Sequence, residues 1–214
     1  AWKHLIQFVA DHAPYNHLLS IHQLNKMYDH RDKNVTHCSI QRTELFLTAV
    51  YTDTWREKYK KPVVIDEGVY EGDLNAWWGG ITAQELVRRF WEAAARGGYM
   101  GHGESYYGEN IWWSHGGTLV GESQSRIAFL KSIMEQCSHI HFSSESGTNN
   151  IARAIDKTHS QLIYFGFYQP RQYEVHLLGT GKYDIYVIDT WNMIVEKLEK
   201  SYSKSVFFDL PRKP

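Results

Sequence analysis

The sequence predicts an α/β fold followed by a smaller region of antiparallel strands. Up to about residue 138, short apolar runs that end in polar residues alternate with segments of helical periodicity. From residue 139 onwards, single apolar and polar residues alternate between glycine-containing turns, which is typical of antiparallel strands. We therefore predict an α/β domain over residues 1–138 and a small β-sandwich over residues 139–214.

The first predicted element is an amphipathic helix over residues 1–12. Its apolar side chains at positions 2, 5, 6 and 9 have the spacing of one helical face. The helix ends at Ala13 and Pro14, because a residue before proline avoids helical backbone. No strand or capping residue introduces this helix, so we expect that the beginning of the fold is missing from the chain.

Four predicted strands follow, over residues 17–22, 34–41, 61–67 and 99–105. Helical periodicity occurs over residues 43–59, 83–96 and 123–137, and Thr82-Ala-Gln-Glu85 is a capping box for the second of these helices. Parallel strands joined by helical crossovers favour half of a (β/α)8 barrel of the TIM type. Such a half is an open sheet whose bare edges invite pairing with another chain or segment.

The strand over residues 61–67 carries the strongest indication of a site. Apolar residues run from Val63 to Ile65 directly into Asp66 and Glu67. The carboxyl ends of parallel strands form the ligand-binding edge of α/β proteins. Burying a carboxylate there without a partner is costly, so the pair indicates either chemistry or a firm hydrogen-bond network, and we favour chemistry.

The amino-acid composition argues against several classes of protein. The 23 basic and 24 acidic residues nearly cancel, which argues against a nucleic-acid partner. Cys38 and Cys137 are too few for a disulfide framework, and no run of 18 apolar residues predicts a membrane span. We expect a reduced, cytoplasmic protein, with secretion left open by the missing beginning, and we predict no cofactor.

The unusual feature of the composition is 8 Trp, 14 Tyr and 12 His. These residues suit a sugar-binding cleft, because a pyranose offers a C–H face for stacking and hydroxyls for hydrogen bonds. Ordinary packing in the core and on the surface is the alternative. Two tryptophan pairs, Trp77-Trp78 and Trp112-Trp113, lie in predicted loops, where a stacking platform is favoured over burial beneath the C-terminal region.

Four segments carry a family resemblance: Lys61-Pro-Val-Val-Ile-Asp-Glu-Gly-Val-Tyr-Glu-Gly72, Arg88-Arg-Phe-Trp-Glu-Ala-Ala-Ala-Arg-Gly-Gly-Tyr-Met-Gly-His-Gly-Glu104, Trp112-Trp-Ser-His-Gly-Gly-Thr-Leu119 and Gly121-Glu-Ser. Together they resemble a bacterial family grouped with the glycoside hydrolases. Its members look like the clan-A (β/α)8 glycosidases and carry a C-terminal β-sandwich. The resemblance covers nearly the whole chain and implies that this chain corresponds to strands 5–8, the second half of a barrel.

The resemblance also implies a mechanism, the retaining double displacement. A carboxylate attacks the anomeric carbon while an acid protonates the departing oxygen, which requires two carboxyl groups about 5–5.5 Å apart. Glu67 matches the nucleophile at the end of the seventh strand. The general acid/base, at the end of the fourth strand, has no counterpart in this chain. Asp66 is the poorer catalytic candidate, because alternation along a strand points it away from Glu67.

Glu104 is a predicted acid on a neighbouring strand; we favour a substrate ligand over a stand-in catalytic acid. His22, His37 and His102 are expected to bind sugar hydroxyls or to orient Glu67. These histidines with Glu67 or Glu104 would alternatively bind a metal, but the absence of a His-x-His pair disfavours this, and we predict no metal. The predicted substrate-binding residues are His22, His37, Gln41, Glu71, His102, Glu104, Tyr106, Trp112 and Trp113.

Two functional classes remain open from the sequence, with a metal-dependent hydrolase as a distant third. The first is a retaining glycosidase whose site is completed by another polypeptide or fragment that supplies the first half of the barrel. The second is a non-catalytic carbohydrate-binding remnant, with its open sheet edges covered in a homo-oligomer. In both classes the predicted ligand is a carbohydrate.

Overall fold

The computed structural model describes residues 1–22, 24, 26–42, 44, 49–108, 118–137, 143–144, 151–156 and 159–211. Its helices are α1 (Trp2–His12), a 3₁₀ turn (Ala49–Tyr51), α2 (Thr52–Tyr59), α3 (Ala83–Ala95) and α4 (Ser123–Gln136). The first five strands are β1 (Cys38–Gln41), β2 (Val63–Glu67), β3 (Glu71–Gly72), β4 (Tyr99–Met100) and β5 (Glu104–Ser105). The remaining strands are β6 (Ser143–Ser144), β7 (Ala152–Ile155), β8 (Gln161–Tyr164), β9 (Gln172–Val175), β10 (Tyr186–Asp189), β11 (Ile194–Lys197) and β12 (Val206–Asp209).

A parallel sheet in the order β1-β2-β4 forms the centre of the fold, as the sequence predicts. β3 and β5 are also parallel and continue the pairing of the β2 and β4 segments, with Glu71 opposite Glu104. Val63 and Ile65 are fully buried in the sheet, and Cys38, Ile40, Trp55 and Tyr59 complete their apolar cluster. The helical segments between consecutive strands thus cover the sheet and bring the polar ends of β2, β3 and β5 to one region.

The prediction of a β-strand over residues 17–22 is wrong, because this segment does not pair with the sheet through a β-ladder. This segment lies beside β1, and Thr36 N donates to Leu19 O over 2.7 Å. The next bonds, however, use side-chain oxygens: Leu19 N donates to Thr36 Oγ1 and Ser39 N to Ser20 Oγ. Hydroxyl groups here replace the backbone carbonyls that a β-ladder requires, so the segment is extended without joining the sheet.

Helix α3 begins and ends where its sequence signals predict. Thr82 has extended backbone and its side chain accepts a hydrogen bond from Glu85 N at 3.2 Å. Gly97 follows the helix with a φ of +74°, a left-handed conformation that a residue without Cβ adopts without strain. Both helix ends are therefore determined locally.

Loss of the α3 cap is expected to destabilise the fold measurably. Thr82→Ala leaves Glu85 N without its acceptor, and we expect a loss of about 1 kcal/mol in the free energy of unfolding, measured by urea denaturation. Ser125→Ala, at an exposed position inside α4, is the matched control and is expected to be neutral or slightly stabilising, because alanine is the better helix former. Equal losses in both variants would contradict the cap.

The apolar face of α3 packs against α4. Leu86, Val87, Phe90 and Trp91 of α3 are buried with Leu130 of α4. The opposite side of α3 is also buried, which the sequence pattern does not indicate. There Arg96 pairs through Nη1 with Asp53 of α2 and through Nε with Glu92, each at 2.7 Å. Helix α3 is thus enclosed on two sides, by apolar side chains on one and by ion pairs on the other.

The C-terminal residues form small antiparallel sheets, in the orders β6-β7-β8, β9-β12 and β10-β11. This confirms the predicted antiparallel texture, while a sandwich over residues 139–214 stays a prediction. Tyr164 of β8 stacks on Trp91 at 5.9 Å between ring centroids. The guanidinium of Arg126 in α4 lies 3.6 Å from the ring centroid of Trp191. The β6-β7-β8 and β10-β11 sheets therefore pack on α3 and α4.

The segment Asp189-Thr-Trp-Asn192 connects β10 to β11. The Asp189 carboxylate accepts hydrogen bonds from Trp191 N and Asn192 N, which closes the turn locally. Among the described residues, each helix is too short or too polar to cross a bilayer.

Candidate active site

Two carboxylates at the end of β2 contact a single imidazole. Glu67 Oε2 lies 3.0 Å from His22 Nε2, and Asp66 Oδ2 lies 3.1 Å from His22 Nδ1. Each of these three side chains is between a third and two fifths exposed. The extended segment beside β1 therefore supplies a histidine that bridges the two acids while leaving them accessible.

Strand alternation predicts that Asp66 points away from Glu67. In the structure, however, Asp66 joins the same group. Its carboxylate accepts a hydrogen bond from Ser39 of β1 in addition to its contact with His22. The two nitrogens of the His22 imidazole, which are separated by one ring carbon, each contact the carboxylate of one of two consecutive residues. Ser39 is a site residue that the sequence analysis missed; its place between His37 and Gln41 on the same strand was the available signal.

The two acids determine the protonation of His22. Partial burial acts to lower the pKa of His22, but hydrogen bonds and charges from Asp66 and then Glu67 outweigh it and raise this pKa above its ordinary value of 6.5. For a base with a raised pKa, the stabilising contribution is present below pH 6.5 and is lost as the pH rises through the raised pKa. His22 is therefore a cation over more of the neutral range than a free histidine.

A titration tests this pairing. We expect the titration midpoint of the His22 ring resonances, followed by NMR, to lie above pH 6.5 in the wild type and at lower pH in Asp66→Asn. That variant removes the main charge that favours the imidazolium. Asp29→Asn, which removes a carboxylate paired with Arg31 at the surface, is the control and should leave the His22 midpoint unchanged. An unchanged midpoint in Asp66→Asn would contradict the bridge.

Aromatic side chains lie beside Glu67. Burial, followed by the charge of Glu67 and hydrogen bonding to it, raises the pKa of Tyr70, so the phenol stays protonated as a donor. The Tyr70 ring meets the Trp78 ring edge-on at 6.3 Å, and its backbone N–H donates to Trp78 O. Trp77, the residue before Trp78, is 61% exposed. The loop predicted to carry a stacking platform thus contacts Tyr70, three residues after Glu67.

The structure describes two of the other predicted ligands, Gln41 and His37. Gln41 of β1 is the register partner of Glu67 and is half-buried beside it. His37 is half-buried, and its ring contacts the hydroxyl of Thr36 at 3.0 Å. Trp112 and Trp113, and His115 near them, lie outside the described residues. Substrate contact by each of these residues stays a prediction.

A second cluster forms where β3 and β5 meet the start of α4. Glu71 is 1% exposed and accepts hydrogen bonds from Tyr106 Oη, Glu122 N and Ser123 N at 2.7–3.0 Å. Burial acts to raise the pKa of Glu71, but these donors outweigh it and lower the pKa, so the group stays a carboxylate. Gly121 allows this approach, since a Cβ there would lie 2.5 Å from Glu71 Oε1.

Glu104 is equally enclosed. It is 3% exposed, and its Oε2 accepts hydrogen bonds from Val120 N and Gly121 N at 2.9 and 3.0 Å. Glu71 and Glu104 thus hold the N-terminal end of α4 against the sheet, where the partial positive charge of backbone N–H groups favours carboxylates. This arrangement gives the two glutamates a structural role and does not place them at an open substrate surface.

Solved structures show that this fold is similar to that of glycoside hydrolases. One of them, described as a "putative glycoside hydrolase" from Bacteroides vulgatus ATCC 8482, is 26% identical with a TM-score of 0.79, and the match covers 100% of this chain and 46% of that one. A glycoside hydrolase family 5 structure from the same organism matches at 16% identity and a TM-score of 0.70, over 98% of this chain and 55% of that one.

A third structure, described as a glycoside hydrolase, matches at 15% identity and a TM-score of 0.66, over 98% of this chain and 57% of the other. The chain thus spans about half the length of the structures it matches. Residues 150–214 match the model of a domain of unknown function, DUF5605. No curated protein matches the sequence.

Proposed function

We propose that this chain carries the nucleophile of a retaining glycoside hydrolase and that Glu67 is that nucleophile. The observation that supports this most is the position of Glu67, at the end of a central parallel strand, partly exposed, and beside His22 and Tyr70. A carboxylate that contacts a cationic imidazole and lies close to a phenol donor is held in a fixed orientation. A fixed and accessible carboxylate is what attack on an anomeric carbon requires.

In the proposed reaction the Glu67 carboxylate forms a bond to the anomeric carbon as the bond to the leaving oxygen breaks. Water then attacks the same carbon, releases Glu67 and restores the original configuration. We propose that the general acid/base, which protonates the leaving oxygen and deprotonates the water, comes from a second polypeptide or segment that completes the barrel. The half-length match to solved glycoside hydrolases supports this division.

The proposed substrate is an oligo- or polysaccharide. Trp77 and Trp78 would stack on the C–H face of a sugar ring, while Gln41 beside Glu67 would bind a hydroxyl. Carbohydrate binding without turnover is the second candidate function. It is favoured by the exposure of Trp77, which allows stacking independently of the acid pair.

Dinitrophenyl glycosides distinguish the two functions, because this leaving group departs without protonation. If Glu67 is the nucleophile and the general base is supplied elsewhere, the purified chain will release a burst of about one equivalent of dinitrophenolate and then turn over slowly. Binding to sugar without a burst, across a panel of sugars and both anomers, would support the second function and contradict the first.

A further inference from the structure

The cluster of Glu71, His102 and Glu104 has features that the proposed reaction does not use. One nitrogen or oxygen atom from each of the three side chains lies within 4.8 Å of the other two. Glu71 and Glu104 face each other in register on β3 and β5, and both are almost fully buried. Two enclosed carboxylates on neighbouring strands repel each other unless positive charge is present.

The contacts of Glu104 are the strongest indication that this cluster binds a cation. Its Oε2 is satisfied by backbone donors, but its Oε1 is buried and accepts no hydrogen bond from the described part of the chain. This oxygen lies 3.8 Å from His102 Nε2. That separation is too long for a hydrogen bond. It suits two ligands of one cation, since donors that are each about 2.0–2.2 Å from a metal lie roughly 3–4 Å apart.

The other two side chains are compatible with such a role. His102 is less than a quarter exposed at its side chain, and Nε2 also contacts Ser123 Oγ at 3.2 Å. The Ser123 hydroxyl can rotate away when the nitrogen binds a cation. Glu71 stays ionised through its hydrogen bonds, as a metal ligand requires.

We propose that His102, Glu104 and Glu71 bind a divalent first-row transition-metal cation. One imidazole with two carboxylates favours zinc or manganese over calcium or magnesium, which prefer oxygen ligands alone. The cation would neutralise the facing carboxylates and fasten β3 and β5 to the start of α4. This site is separate from His22 and Glu67 and does not depend on the proposed glycosidase activity.

The test uses untagged protein, freed of metal with a chelator and titrated with Zn²⁺ by calorimetry. We expect one equivalent to bind and the thermal unfolding midpoint to rise. His102→Ala should weaken binding by about tenfold or more, since even changes outside the ligand shell cost 10–100-fold. Glu104→Gln should do the same, with circular dichroism confirming that both variants fold. His22→Ala is the matched control, because it removes the other histidine that contacts two carboxylates.

Cobalt as a second probe reports the ligand type, because thiolate ligands from Cys38 or Cys137 would add an intense near-ultraviolet band that nitrogen and oxygen ligands lack. No saturable binding would overturn the proposal. Binding that survives His102→Ala and is lost in His22→Ala, or a thiolate band with Co²⁺, would overturn it as well. If Glu104→Gln does not fold, His102→Ala alone decides the outcome, since this side chain is the more exposed of the two.

Discussion

Glu67→Gln is expected to lower the rate of the dinitrophenolate burst by about 10³-fold or more. The amide keeps the size and hydrogen bonding of the side chain but removes the nucleophilic charge, and loss of a covalent nucleophile removes the whole double-displacement route. Glu57→Gln is the matched control, because Glu57 is an exposed glutamate that pairs with Lys60. The burst rate of this control should equal that of the wild type.

A second variant at the same position distinguishes a nucleophile from a general acid. Glu67→Ala opens space beside the anomeric carbon, so added azide should attack there and release dinitrophenolate. Because azide makes a single displacement, the glycosyl azide should have the configuration opposite to that of the substrate. A rescued product of unchanged configuration, identified by NMR, would assign Glu67 to the acid/base role and contradict the proposed one.

Arg96→Met is expected to produce the largest loss of stability, about 3–5 kcal/mol in the free energy of unfolding. Arg96 is 4% exposed, and its guanidinium pairs with Asp53 and Glu92, which are themselves buried. Methionine retains much of the side-chain length but leaves both carboxylates without that positive charge. Burial already raises the pKa of Glu92 despite its arginine partners, and the variant should raise it further.

Urea denaturation measures this loss, and Arg31→Met provides the comparison. Arg31 makes an ion pair of the same 2.7 Å length with Asp29, but both side chains are more than half exposed. Exposed pairs contribute little, so the unfolding midpoint of Arg31→Met should stay close to that of the wild type. Equal shifts in the two variants would show that burial of the Arg96 network does not matter for stability.

Much of the fold can be predicted from the sequence because its elements depend on local signals. The buried run from Val63 to Ile65 specifies a strand by its composition, and Thr82 and Gly97 mark the ends of α3 through backbone chemistry close to each. Residues 17–22 have the same apolar texture as a strand. Their hydrogen bonds depend on hydroxyl groups of Ser20 and Thr36, whose partners a linear pattern does not reveal.

The candidate site is predictable to a smaller degree. Asp66 and Glu67 follow from their place at a strand end, and His22 follows as a polar residue after an apolar segment. Glu71 and Glu104 have the same sequence signature but a different environment, because backbone N–H groups at the start of α4 enclose them. The sequence alone does not show which strand-end acids meet solvent and which meet a helix.

Covalent trapping tests the role of Glu67 most directly. The chain would be incubated with 2-deoxy-2-fluoro glycosides bearing a dinitrophenyl group. Fluorine slows both displacements, but the good leaving group keeps the first fast enough for the glycosyl-enzyme to accumulate. Intact-protein mass spectrometry followed by peptide mapping should then show one sugar adduct, located on Glu67 and missing in Glu67→Gln. An adduct on another carboxylate, or no adduct with any sugar of either anomeric configuration, would contradict Glu67 as the nucleophile.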